Sequence, residues 1–96
     1  MKTTNEYLRQ LKRYKQQYSS EYGIERIGLF GSVARGEHTE RSDVDVCVEM
    51  KPDIYLLISV RDDLQKVFKR KVDIVRVRKN MNPFLLKTIK NTAVYA

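Results

Sequence analysis

The fold of this chain is decided by the stretch LFGSVARGEHTERSDVDVCV, residues 29–48. An apolar run breaks at Gly31-Ser32, a polar segment follows, and Asp43 and Asp45 then alternate with valines. Alternation of this kind is typical of a β-strand. Because side chains two residues apart on a strand point the same way, we expect the two carboxylates to lie side by side. Neighbouring carboxylates repel one another, so the pair predicts a bound cation.

Length and composition predict one small globular domain spanning residues 1–96, with a modest core. No run approaches the roughly 20 apolar residues that cross a bilayer, and the polar N-terminus lacks the apolar core of a signal peptide. The single cysteine, Cys47, excludes an internal disulfide and suits a reducing compartment. We therefore expect a cytoplasmic protein that makes no contact with a membrane.

The net charge of +7 is unevenly distributed along the chain. Residues 37–63 carry three Lys/Arg and eight Asp/Glu, a net of −5, whereas residues 64–96 carry nine and one, a net of +8. The carboxylate pair lies in the acidic part. The basic part would attract an anion such as a nucleotide, a nucleic acid or an acidic protein surface, although an ordinary hydrated surface has the same composition.

Hydrophobic periodicity predicts an α/β protein in which helices and strands alternate. The expected order is helix 4–22, strand 24–30, short helix 32–35, strand 43–49, helix 53–69, strand 71–77, a last helix that Asn82 caps, and a short closing segment at 94–95. The helices are expected to cover one face of a small sheet and to leave the other face open for chemistry. The sequence does not fix the strand order, although the long helix suits a parallel crossover.

The first helix carries a stripe of leucines and tyrosines at three- and four-residue steps. We expect this stripe to face the core with its hydroxyl groups reaching water, and an RNA-stacking surface is the alternative. Thr4 or Asn5 is expected to cap the helix start and Gly23 its end. The stripe consists of Leu8, Leu11, Tyr14, Tyr18 and Tyr22.

Asp73 adds a third carboxylate, because it lies in an otherwise apolar Val-Asp-Ile-Val run. A charge in such a strand costs free energy unless it is compensated. If its strand lies beside the one that carries Asp43 and Asp45, three carboxylates converge, and such a set suits Mg²⁺. The alternative is structural: Asp43 caps a turn with Ser42, and Asp73 pairs with a nearby Lys or Arg.

Gly31-Ser32 comes where a strand ends and a helix begins. Glycine lets the backbone approach a ligand closely, and the free N–H groups of a helix start favour phosphate. Ser32 adds a hydroxyl that could also cap the helix. No Gly-Lys-Ser/Thr follows, so this is not a Walker A loop. Ten residues separate Ser32 from Asp43, which allows a phosphate to lie beside a metal.

With these motifs the sequence resembles the DNA polymerase β-type nucleotidyltransferase superfamily. More narrowly, it resembles the minimal nucleotidyltransferases of bacteria and archaea, the MNT or MntA-like antitoxins. The resemblance covers nearly the whole chain and implies a small mixed sheet of the polymerase β palm type. The residues that carry it are Phe30-Gly31-Ser32, Ala34-Arg35-Gly36-Glu37 and Ser42-Asp43-Val44-Asp45-Val46.

The resemblance implies roles for six residues. Asp43 and Asp45 would bind two Mg²⁺ ions, which Mn²⁺ could replace, and Asp73 would act with one metal on the attacking hydroxyl. The remaining three would bind the nucleotide: Gly31 and Ser32 would hold its triphosphate, and Arg35 would neutralise phosphate charge. Arg35 could instead brace the loop by pairing with Glu37 or Glu40.

The resemblance also implies a reaction and a partner. The enzyme would transfer AMP from ATP to a tyrosine hydroxyl of a HEPN-domain toxin and so act as an antitoxin. Two alternatives stay open: a non-catalytic module that masks a toxin, and an enzyme that adds nucleotides to RNA.

Three other features have structural interpretations. We expect His38 to be a solvated loop residue and Cys47 to be a small buried hydrophobe or to line the site. The basic cluster could bind protein or RNA, or could be ordinary strand-flanking charge. It consists of Lys69, Arg70, Lys71, Arg76, Arg78 and Lys79.

Overall fold

Helices and strands follow one another in the order that the periodicity predicts. The computed structural model describes all residues, 1–96. The closing segment is a short strand, so the chain has four helices and four strands. They are α1 (Thr4–Tyr22), β1 (Arg26–Phe30), α2 (Gly31–Arg35), β2 (Val44–Glu49), α3 (Ile54–Phe68), β3 (Val72–Arg76), α4 (Pro83–Thr92) and β4 (Val94–Tyr95).

The four strands form one mixed sheet in the order β3-β2-β1-β4. β1 runs antiparallel to both β2 and β4, while β2 and β3 are parallel. α3 therefore makes the parallel crossover that its length suits. In this register Asp45 of β2 lies beside Asp73 of β3 on one side and Phe30 of β1 on the other.

Both faces of the sheet carry a hydrophobic core, but the two cores differ in size. The larger one joins α1 and α3 to one face, and the smaller one joins α4 to the other. The face expected to be open is thus partly covered by α4. Complete burial contributes about 1.5–3 kcal/mol for each large aliphatic side chain. Fully buried members of the larger core include Leu11, Ile27, Leu29, Val46, Val60 and Leu64; the smaller core has Phe30, Cys47, Met81 and Ile89.

Helix caps follow the expected residue types, with one shift. α1 is capped by Thr3, whose hydroxyl accepts from the Glu6 N–H at 3.2 Å, and not by Thr4 or Asn5. The Thr4 hydroxyl instead donates to the Val33 carbonyl at 2.6 Å and so ties α1 to α2. Gly23 ends α1 with a φ of 65° in the left-handed region.

The stripe of α1 packs inward as predicted, but its polar contacts differ from the expectation. The hydroxyls of Tyr14 and Tyr22 donate to one carboxylate oxygen of Asp63 on α3, at 2.8 and 3.3 Å, a contact that the sequence did not predict. Tyr14 is only 3% exposed, which leaves no ring face free for an RNA base. Tyr7, outside the predicted stripe, is buried as well.

The apolar residues of α3 do not all face the core. Leu64 and Phe68 are buried, but Ile54 and Ile58 lie exposed near the helix start, and Val60 takes a core position. None of the four helices is long and apolar enough to cross a membrane.

Candidate active site

Three carboxylates meet where β2 and β3 begin. Asp45 and Asp73 are register partners on adjacent parallel strands, which lie about 4.8 Å apart. Asp43 precedes β2 by one residue and points to the same side as Asp45. Asp43 and Asp45 are half-buried, and Asp73 is exposed. The parallel pairing of β2 and β3 therefore brings Asp73 close to Asp43 and Asp45, which precede it by about 30 positions in the sequence.

Asp45 is the electrostatic centre of this group. Burial, followed by the neighbouring charges of Asp73 and Asp43, raises the pKa of the Asp45 carboxyl above its usual range, and Arg35 opposes the shift. Neither Asp45 nor Asp73 makes an ion pair or a side-chain hydrogen bond. A half-buried carboxylate without donors is costly, so the site concentrates negative charge that lacks a partner.

The structural alternative for these aspartates is mostly wrong. Asp73 pairs with no Lys or Arg. Asp43 approaches Lys71 at 4.0 Å, a distance that makes the ion pair weak at this exposed position. Ser42 does not cap a turn with Asp43; its hydroxyl accepts from the Thr39 N–H at 2.9 Å.

The donor set fits a hard divalent cation by its chemistry. Mg²⁺ prefers a few carboxylate oxygens together with water and phosphate, and Asp45 lies near the carboxylates of Asp43 and Asp73. The structure contains no group of three His, Cys, Asp or Glu side chains arranged to hold a metal ion. Metal binding by Asp43, Asp45 and Asp73 therefore stays a prediction that rests on donor type, burial and charge.

The Gly31–Ser32 turn lies directly against Asp45. Gly31 has a φ of 69°, and a Cβ atom at this position would overlap with Oδ2 of Asp45. Only glycine avoids both the strained backbone and the clash. The turn therefore requires glycine for the approach of a protein carboxylate, whatever it does for a phosphate.

Ser32 is not the cap of α2, contrary to one expectation. The capping position is Phe30, which has no side-chain hydrogen bond to the helix, and Ser32 lies within the first turn. The Gly31 N–H donates to the Thr92 hydroxyl of α4 at 3.2 Å. The sequence carries no signal for this contact, because Thr92 is an ordinary threonine 61 residues away. The Ser32 hydroxyl has no hydrogen-bond partner.

Arg35 braces the loop, as one of its two interpretations proposed. Its Nε donates to Glu37 at 3.1 Å, and Glu40 is not involved. Arg35 is also near enough to Asp45 to oppose part of the rise in the pKa of that carboxyl. A role in neutralising phosphate stays a prediction.

The loop between α2 and β2 is held in place by contacts that the sequence did not predict. His38 is not solvated: its Nε2 lies 2.6 Å from the Lys2 carbonyl, and its ring meets Tyr7 edge to face. Arg70 donates to the Ser42 carbonyl at 2.7 Å, so one member of the basic cluster is structural.

Cys47 is fully buried in the smaller core, where burial raises the pKa of its thiol. It is therefore the small hydrophobe that was expected.

Comparison with known proteins identifies the family. The family model described as the nucleotidyltransferase domain matches residues 8–96. The chain belongs to the nucleotidyltransferase domain family. It is accordingly a nucleotidyltransferase enzyme, and the resemblance read from its motifs is confirmed.

Two proteins named as protein adenylyltransferases are similar to this chain over most of its length. The enzyme is 31% identical to the protein adenylyltransferase MntA of Thermococcus cleftensis over 88% of this chain and 87% of that protein. It is 35% identical over 99% of both chains to a Methanocaldococcus jannaschii protein, MJ1379, that is provisionally named a protein adenylyltransferase.

Solved structures have the same fold. A structure provisionally described as a minimal nucleotidyltransferase superposes with a TM-score of 0.77 at 27% identity, covering 97% of this chain and 95% of the other. A toxin–antitoxin crystal structure with AMP-PNP superposes with a TM-score of 0.73 at 18% identity, covering 91% and 69%. The second likeness shows the fold alone.

Proposed function

We propose that this protein is a Mg²⁺-dependent protein adenylyltransferase that transfers AMP from ATP to a hydroxyl group of a partner protein, and that residues 1–96 form its single domain. The observation that carries the proposal is the register of Asp45 beside Asp73, next to Asp43 and the Gly31 turn. Relatives named as protein adenylyltransferases support the nucleotide and the acceptor class.

The proposed reaction is the one that the resemblance to the family implies. An acceptor hydroxyl attacks the α-phosphorus of ATP, an O–P bond forms, and the bond to the leaving pyrophosphate breaks. Asp73, the exposed carboxylate, is accessible to the acceptor and would take up or orient its proton. Asp43 and Asp45 would hold the divalent ions, and Asp73 would share one of them. When bound, these ions would supply charge neutralisation at the entering and leaving oxygens.

The residues proposed to bind the nucleotide follow β1, on the side of Asp45 opposite Asp73. The Ser32 hydroxyl, free of partners, would donate to the triphosphate, and the Gly31 turn would allow close approach. Arg35 would exchange its exposed pair with Glu37 for a phosphate oxygen, a change that costs little because exposed ion pairs contribute at most about 1 kcal/mol.

The acceptor is proposed to be a tyrosine of a HEPN-domain toxin, so that the protein acts as an antitoxin. A solved relative of the same fold is part of a toxin–antitoxin complex, and the resemblance to MntA-like antitoxins supplies the tyrosine. The test is incubation with α-labelled ATP, GTP, CTP and UTP, with Mg²⁺ or Mn²⁺, and with the product of the neighbouring gene. Label from ATP on that protein is expected, and no label from any nucleotide would overturn the enzyme proposal.

Two further assays separate the alternatives: labelling with RNA added, and toxin neutralisation in cells. Label on added RNA would favour an RNA-modifying enzyme. The basic surface of the protein is the feature that supports this alternative. If the Asp43→Asn, Asp45→Asn double variant still neutralised the toxin fully in cells, the non-catalytic binding module would be favoured.

The partner is proposed to dock on a basic flank, defined here as Arg76, Arg78 and Lys79. The flank adjoins a groove that Ile54 and Leu57 of α3 line, and Ile54 is 62% exposed. An acidic surface with apolar side chains would complement it.

Reversing all three charges to Glu should weaken the complex about tenfold or more and reduce its salt dependence. Calorimetric titration measures both. The matched control reverses Arg9, Lys12 and Arg13 on α1, and equal losses in both triple variants would remove the flank from the proposal.

A further inference from the structure

One hydrogen bond links the C-terminal helix to the carboxylate site. The Thr92 hydroxyl accepts the Gly31 N–H at 3.2 Å and donates to the Thr88 carbonyl, one turn earlier in α4, at 2.7 Å. Because the hydroxyl proton is committed to Thr88, the oxygen lone pairs are left to accept from Gly31. The orientation of the Thr92 hydroxyl is therefore fixed at both ends.

The Gly31 peptide in turn fixes the space that Asp45 occupies. Gly31 is held at a φ of 69°, and its α-carbon lies so close to the Asp45 carboxylate that no Cβ would fit. A rotation of this peptide would either open a gap beside Asp45 or push its carboxylate aside. Thr92 therefore contacts Gly31, and Gly31 contacts Asp45. Through these two contacts, the position of α4 affects the position of the Asp45 carboxylate.

α4 is itself firmly placed on this side of the sheet. Ile89, one turn before Thr92 on the same side, is only 1% exposed and belongs to the core cluster that contains Phe30, the residue before Gly31. The hydroxyl is thus presented from a helix that packs against the core beside Gly31.

We propose that Thr92 is a positioning residue of the transfer reaction: by holding the Gly31 peptide, it sets the place of the Asp45 carboxylate. The inference rests on the proposed function. If the carboxylate is displaced, the enzyme still binds ATP but the reacting atoms are misplaced, and a misplacement of about 1 Å costs about 100-fold in rate.

The test compares Thr92→Val with Thr92→Ser and Thr88→Val. Thr92→Val keeps the shape and removes the acceptor; we expect kcat to fall about tenfold with the KM for ATP changed less than about twofold. Thr92→Ser restores the hydroxyl and should stay within about twofold of wild type. Thr88→Val is the matched control, because the Thr88 hydroxyl makes the same kind of bond to its own helix, at 3.0 Å from the Phe84 carbonyl, and touches no site residue.

Amide hydrogen exchange supplies a readout that needs no activity. The Gly31 amide should exchange roughly tenfold faster in Thr92→Val, as loss of one hydrogen bond of about 1.4 kcal/mol predicts, and should be unchanged in Thr88→Val. Thr92→Ala gives the same readout if the valine variant does not fold.

Unchanged kcat and Gly31 exchange in Thr92→Val, or an equal kcat loss in Thr88→Val, would overturn the positioning role and leave the proposed function standing. A wild-type protein that labels no acceptor would overturn the function, while the exchange experiment would still test the contact.

Discussion

Two half-buried aspartates, Asp63 and Asp45, are satisfied in opposite ways. Asp63 accepts hydrogen bonds from two tyrosine hydroxyls of α1 and joins two helices. Asp45 accepts none and lies between two further carboxylates. A fold can easily supply donors to a carboxylate that serves structure, as Asp63 shows. The absence of hydrogen-bond donors to Asp45 is the feature on which the proposed metal site rests.

The largest expected effect on the rate of AMP transfer comes from a substitution at Asp45, and it tests the contrast between Asp45 and Asp63. Asp45→Asn should lower AMP transfer about 1000-fold, because loss of a metal ligand removes several kcal/mol of transition-state stabilisation. The variant should fold at least as stably as wild type, since it removes a repelled charge.

Asp63→Asn is the control for that change. It should lose stability and keep the rate of transfer, measured with labelled ATP and thermal unfolding in parallel. Equal activity losses in both variants would remove the distinction between the two aspartates.

The second effect concerns the glycine that faces Asp45. Gly31→Ala should lower transfer about 100-fold, because the new methyl group overlaps with the Asp45 carboxylate. Gly23→Ala, at a similar φ of 65° but with no atom within 4 Å of the new Cβ, is the matched control. It should lose about 1 kcal/mol of stability through backbone strain and keep its activity. A Gly31→Ala enzyme with wild-type kcat would contradict the described packing.

The smallest expected effect is on the stability of the protein and concerns Tyr14, which donates a hydrogen bond to Asp63. Burial, with the hydrogen bond to Asp63, raises the pKa of Tyr14 above its usual 10.0. The unfolded chain therefore releases this proton first, and the free energy of unfolding should fall as the pH rises above 10, by at most about 1.4 kcal/mol per pH unit for one group.

Tyr14→Phe should flatten this slope and cost about 1 kcal/mol at neutral pH through the lost hydrogen bond. Urea unfolding between pH 7 and 11 measures both. Tyr22, whose pKa is raised in the same direction, leaves part of the slope in place. If Tyr14→Phe has the same slope as wild type, the decrease in the free energy of unfolding above pH 10 does not come from Tyr14.

The sequence predicted the features that depend on local pattern. The stripe of α1, the cap at Asn82, and the alternation around Asp45 each need only a few consecutive residues, and the structure confirms them. The convergence of Asp73 with Asp45 was predicted only conditionally, because strand order follows from packing and not from either strand alone.

Contacts between distant segments could not be predicted. Tyr14 meets Asp63 across 49 residues, and Thr92 meets Gly31 across 61. The exposure of Ile54 likewise depends on how α3 is rotated about its axis where it packs on the sheet. The hydrophobic periodicity of the helix alone does not fix which face Ile54 occupies. The shift of the α1 cap to Thr3 reflects adjacent polar residues of nearly equal capping strength.

Binding of Mn²⁺ in the presence of a non-hydrolysable ATP analogue tests the central claim most directly, that the carboxylates of β2 and β3 share a divalent cation. Calorimetric titration should give tight binding to wild type and to Asp63→Asn, and affinity weakened about 100-fold in Asp73→Asn, a change of about 2.7 kcal/mol. Equal Mn²⁺ affinity in wild type and Asp73→Asn would contradict the account, because the register of Asp45 and Asp73 would then have no bearing on the metal.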